Sequence, residues 1–122
     1  MPVPLLKQGR VVIASLRSSL SDNDWEIFRQ KLVRQTGEWR SQGAVVDLTA
    51  MDVIDSYAAR SVRDLVAMLR LRGVEAVVVG IQPEVAFAMV QLGLRLDGVP
   101  VAMDLEEGLE ALARRLKARR HA

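Results

Sequence analysis

The feature that most constrains this chain is an alternation of two periodicities. Short β-branched runs at residues 10–16 (RVVIASL), 44–48 (AVVDL) and 74–79 (VEAVVV) are separated by longer stretches with apolar residues at helical spacing. The runs are too short for helices and apolar on both faces, which marks strands covered on both sides. Between the first two, the capping cluster Ser21-Asp22-Asn23-Asp24 precedes Trp25, Phe28, Leu32, Val33 and Trp39, an amphipathic helix that Gln42-Gly43 should stop. Between the next two, Ser56 opens a helix with Ala59, Val62, Leu65, Val66 and Leu69 on one face and Arg60, Arg63, Asp64 and Arg70 on the other, stopped at Gly73.

The remaining pieces complete the series. Residues 3–6 and the Gln8-Gly9 turn make an N-terminal hairpin with the 10–16 strand. Pro83-Glu84 opens a third helix, residues 93–98 form a loop, and 99–103 is a short strand that Pro100 assigns to a sheet edge. Asp104 caps a last helix running to about residue 119. The expected order is β-β-α-β-α-β-α-β-α. The fold class is therefore α/β: a mixed, mainly parallel β-sheet covered by helices, with the first strand antiparallel. With 122 residues and no linker or repeat, one domain over 1–122 is expected.

Composition narrows the chemistry. There is no cysteine, which removes disulfides, thiolate metal sites and thiol nucleophiles. The single histidine, His121, is penultimate and poorly placed as a catalytic base. The formal charge is only +2, so the basic tail ARRLKARRHA reads as a helix end whose cations complement the macrodipole, and no nucleic-acid contact is expected. No apolar run reaches the roughly 18–20 residues of a membrane span, and the N-terminus lacks signal-peptide order; no membrane association and a cytoplasmic location are expected. No glycine-rich phosphate loop occurs and Ser56 lacks a G-x-S-x-G frame, so neither nucleotide binding nor hydrolysis is supported. Asp47, Asp52 and Asp55 near one strand end could hold a hard cation, but aspartates in strand-to-helix loops more often cap and turn the chain; no metal and no cofactor are expected.

The strand-to-helix junction VDLTAMDVIDSYAAR is the informative stretch. Ser56 reads as a helix N-cap, and a helix N-terminus favours an added phosphate, while the neighbouring Asp55 opposes it. Thr49 is a second hydroxyl, expected to be tied to nearby backbone. A separate signal lies at residues 83–94. Val85, Phe87, Met89 and Val90, with small Ala86 and Ala88 between them, surround nearly the whole helix, so part of it is expected to form a partner interface.

The set D-L-T at 47–49, V-I-D-S at 53–56 and V-V-V-G at 77–80, in that order, resembles the signature of the STAS domain family, the bacterial anti-sigma-factor antagonists, and the resemblance covers nearly the whole chain. Within that family the segment from Thr49 to Tyr57 is most similar to the small scaffold proteins of the stressosome. The resemblance implies no catalytic activity. It implies phosphorylation of Ser56, in an environment of Asp47, Thr49, Asp52, Asp55, Tyr57 and Arg60, by an RsbT-type serine kinase, and reversal by a PP2C-type phosphatase. It implies a homo-oligomer (a dimer) and a large assembly with RsbR-type STAS proteins, which add a sensor domain for which this chain has no room. The scaffold would hold the kinase and release it on phosphorylation, controlling a sigma-factor type stress pathway. The alternative is a simple antagonist that binds an anti-sigma factor without a large assembly. Many such antagonists read D-S-S-G, where this chain has Asp55-Ser56-Tyr57-Ala58.

Overall fold

In the computed structural model, which describes residues 3–17 and 20–120, the elements run β1 (Leu5–Gln8), β2 (Val11–Arg17), α1 (Asp22–Glu38), β3 (Gly43–Ala50), α2 (Ser56–Leu71), β4 (Glu75–Val79), α3 (Pro83–Gln91), β5 (Val101–Ala102) and α4 (Leu105–Arg120). Pro2 of the N-terminal segment and His121 lie outside the described residues. The strands form one sheet in the order β1-β2-β3-β4-β5. β1 pairs antiparallel to β2, with Leu5 opposite Ala14, and every other pair is parallel. The expected mixed α/β architecture is the one observed, with the hairpin turn at Gly9 (φ +60°).

Strand periodicity divides the core between the two sheet faces. One face presents Val12, Ala14, Leu16, Ala44, Val46, Leu48, Ala76 and Val78 to α1, α2 and α3. The helices answer with Trp25, Phe28 and Leu32, then Ala59, Val62, Leu65, Val66 and Leu69, then Val85 and Met89. Trp25 and Phe28 meet edge to face, ring centroids 6.0 Å apart, and each fully buried side chain of this kind contributes about 1.5–3 kcal/mol. The other face presents Ile13, Val45, Val77 and Val79 to Leu112 of α4. Gly108 brings α4 close, since a Cβ there would press into the Val79 side chain.

Three boundaries differ from expectation for identifiable reasons. α1 ends at Trp39, before Gln42-Gly43. Arg40 takes a left-handed conformation (φ 50°), the Ser41 N–H reaches the Thr36 carbonyl at 2.9 Å and the Arg40 N–H reaches Gly37, a terminating pattern that usually carries glycine at the Arg40 position. Gly43 already belongs to β3, where a Cβ would press on Leu112. The last strand shrinks to two residues beside Pro100, while α3 closes at Gln91, ahead of the 93–98 loop as read. The stop at Gly73 is as read: its φ is +82° and the Val74 N–H bonds the Leu69 carbonyl at 2.8 Å.

Candidate functional site

The junction from β3 to α2 is built in three steps. At the end of β3, Asp47 Oδ1 accepts the Thr49 backbone N–H at 2.9 Å and the Thr49 hydroxyl at 2.6 Å. The Thr49 hydroxyl is thus tied to a carboxylate, not to backbone as expected. Asp47 stands opposite Val79 in the parallel register, which places Gly80 against this turn. Gly80 has φ +80°, and a Cβ there would collide with the Thr49 hydroxyl. Gln82 then donates its side-chain N–H to the Thr49 carbonyl. Gly80 therefore ends β4 and also makes room for the Asp47–Thr49 pair.

The connecting loop is pinned by Met51 and Ile54, both buried, with the Met51 N–H on the Leu48 carbonyl at 3.0 Å. Asp55 follows in extended conformation (φ −88°, ψ −178°), and its Oδ1 accepts the Ala58 N–H at 2.8 Å. The N-cap of α2 is therefore Asp55, and the reading of Ser56 as the cap is corrected. The Asp55 carboxylate reaches the amide three residues on and complements the helix dipole, while Ser56 begins the helix proper. Its side chain is exposed and has no hydrogen-bond partner among the described residues.

The environment expected around Ser56 separates into parts. Asp47 and Thr49 are locked to each other beside Gly80. Asp52 and Asp55 line a depression with Trp25 and Met51. Tyr57 is half-buried against the core, so only part of it is presented to solvent. Arg60 alone of the expected set shares a cleft with Ser56, a shallow hollow of about 360 Å³ that Arg63, Arg95 and Asp97 also line. Asp55 and Ser56, adjacent in sequence, thus face different hollows. Among the described residues, no three His, Asp or Glu side chains gather closely enough to hold a metal ion. Asp47 turns the chain onto Thr49, and Asp55 caps α2.

Sequence reasoning missed Arg95, Asp97 and the Gln82–Thr49 bond. The spacing of Ser56, Arg60 and Arg63, at i, i+4 and i+7 on one helix stripe, was the available signal for the cleft. The expected α3 interface also divides. Val85 and Met89 are core residues, 3% and 6% exposed, whereas Phe87 and Val90 are 73% and 80% exposed, and Leu92 beside them is 70% exposed. Val85 and Met89 point into the sheet because α3 packs there as a single-layer helix, so they are withdrawn from the partner surface.

Residues 3–108 match the STAS domain model. Among curated proteins, the chain is 30% identical over 84 residues to the RsbT co-antagonist protein RsbRC of Bacillus subtilis (strain 168), a stretch covering 69% of this chain and 30% of that relative. RsbT co-antagonist protein RsbRA of the same organism is 30% identical over 81 residues and is covered to the same 30% of its length. The chain therefore spans less than a third of these relatives. Among solved structures, RsbS of Moorella thermoacetica, in a serine-to-glutamate variant, is 26% identical with a TM-score of 0.80, covering 96% of this chain and 99% of that one. A chain from the molecular architecture of the stressosome, described as a signal integration and transduction hub, is 26% identical with a TM-score of 0.75, covering 93% and 98%. Among the described residues, no helix is long and apolar enough to cross a membrane.

Proposed function

The chain belongs to the STAS domain family, and on that footing we propose that it is a non-enzymatic scaffold of a stressosome-type assembly, holding an RsbT-type serine kinase and releasing it when Ser56 is phosphorylated. The observation that carries this reading is the exposed Ser56 hydroxyl, without a partner among the described residues, on the first residue of α2. Support comes also from end-to-end similarity to RsbS and from relatives named as RsbT co-antagonists.

In this reading the kinase moves the γ-phosphoryl group of ATP to Ser56 Oγ; the hydroxyl proton is lost and ADP leaves. A PP2C-type phosphatase restores the serine by hydrolysis, releasing inorganic phosphate. The added charge of about −1.5 to −2 lies at a helix N-terminus, which favours it. The buried face of α2 starts at Ala58 and Ala59 and turns away from Ser56, so the surface changes charge without repacking the core. Partners follow from the same reading: RsbR-type STAS proteins in a cytoplasmic assembly, the kinase and the phosphatase. The exposed Phe87, Val90 and Leu92 supply an apolar surface for assembly.

Incubation with an RsbT-type kinase and ATP, followed by mass spectrometry, tests the switch. One phosphate on Ser56, absent from Ser56→Ala, is expected; no incorporation at Ser56 refutes it. Size measurement with and without an RsbR-type protein separates the scaffold from a simple antagonist, because only the scaffold forms very large particles.

A further inference from the structure

The cleft beside Ser56 is more organised than a surface hollow requires. Two arginines of one α2 stripe already hold the loop that follows α3: Arg63 donates to the Arg95 carbonyl, and Arg70 donates to the Gly98 carbonyl at 3.3 Å. The loop is bracketed by Gly93 and Gly98, both in the left-handed region (φ +69° and +77°), so its path is set by turns and by these two bonds. Tethering the Arg95 carbonyl keeps Arg95 and Asp97 on the rim of the Ser56 cleft. The guanidinium groups of Arg60 and Arg95 themselves have no hydrogen-bond or ion-pair partner among the described residues, and Arg60 lies one turn along α2 from Ser56. The cleft holds three arginines against one carboxylate, Asp97, while the Asp55 carboxylate is engaged by Ala58 and faces the other hollow.

We propose that this cleft is a built-in receptor for a phosphate on Ser56, in which Arg60 from α2 and Arg95 from the 93–98 loop clasp the phosphoryl oxygens while Arg63 holds the loop in place. The inference rests on the reading of Ser56 as the modified residue. Guanidinium groups suit the task because their planar forks match phosphate oxygens two at a time. The consequence is a linkage between α2 and the loop directly after the exposed Phe87, Val90 and Leu92 surface. Modification would then do two things at once: neutralise two free cations and fasten that loop.

The test uses the full chain with phosphoserine introduced at position 56 during translation, so that no kinase is needed. Phosphorus NMR titration reads the second ionisation of the phosphate. In the folded wild-type chain it is expected about one unit below the value of about 6 in the urea-unfolded chain, and strong salt should shrink the difference because the cleft is open to solvent. Arg60→Gln with Arg95→Gln should remove most of the shift, leaving the smaller part that the α2 N-terminus supplies, and Asp97→Asn should enlarge it. Amide exchange across residues 93–97 should slow on modification in the wild type only. Should the double variant fold poorly, Arg60→Gln alone should halve the shift. An ionisation equal in the folded and unfolded chains, or unchanged by loss of the arginines, overturns the proposal. Failure of a kinase to modify Ser56 would defeat the proposed function and leave this result standing, and the reverse also holds.

Discussion

The Asp55 carboxylate caps α2 by accepting the Ala58 N–H at 2.8 Å, and in doing so it leaves the hydroxyl of Ser56, the next residue, without a structural duty. Two neighbours that look like a pair in the sequence have separate tasks, one holding the helix and one available for modification. Asp55→Ala should therefore lower stability by about 1 kcal/mol, and Ser56→Ala should stay within about 0.5 kcal/mol of the wild type. Urea unfolding distinguishes them. Equal losses would mean that Ser56 shares the cap.

Gly80 carries two constraints at once. Its φ of +80° disfavours a side chain, and a Cβ would strike the Thr49 hydroxyl that Asp47 holds. Gly80→Ala should cost about 2–4 kcal/mol. Adding Thr49→Ala should recover part of the loss, since it removes the collision and keeps the backbone strain. A strictly additive double-mutant cycle would contradict the contact.

On α3, stability and assembly should respond to different residues. Met89→Ala should destabilise by about 2–5 kcal/mol, because Met89 fills the core. Phe87→Asp and Val90→Asp should leave the unfolding midpoint nearly unchanged and disperse large particles formed with an RsbR-type protein, as followed by light scattering. Particles of unchanged size would remove this surface from the interface.

The capping box of α1 gives a pH signature. The Ser21 backbone N–H, and after it the Ser21 hydroxyl, hold the Asp24 carboxyl below its ordinary value of 3.8. A carboxylate whose pKa falls on folding stabilises the native state above its unfolded value, and that contribution disappears as pH falls through the folded value. The thermal midpoints of wild type and Asp24→Asn should differ at neutral pH and converge below pH 3.8. A gap that persists or widens in acid would refute the assignment.

Much of this was legible in the residues, for reasons that differ by element. Strand runs and the apolar stripe of α2 were read correctly because burial on a sheet face writes its period directly into the sequence. The end of α1 was not, because Arg40 occupies the left-handed position that glycine usually signals. The cap of α2 was misassigned by one residue, since Asp55 and Ser56 are both good caps and only backbone geometry selects between them. α3 looked apolar all round, and only the packing direction separates buried Met89 from exposed Phe87. Arg95 entered the Ser56 cleft by tertiary folding, with no local pattern to announce it.

The sheet order β1-β2-β3-β4-β5 has a last consequence. Open parallel sheets that bind small molecules commonly do so in the crevice opened where the strand sequence reverses direction across the sheet. Here each crossover steps the same way, so the strand ends part nowhere, and the nearest approach to such a gap, between the tips of β3 and β4, is closed by Thr49, Gly80 and Gln82. What this fold offers to other molecules it offers from its outer contours, the helix starts and the loop beside them, where a change of charge can be felt from outside.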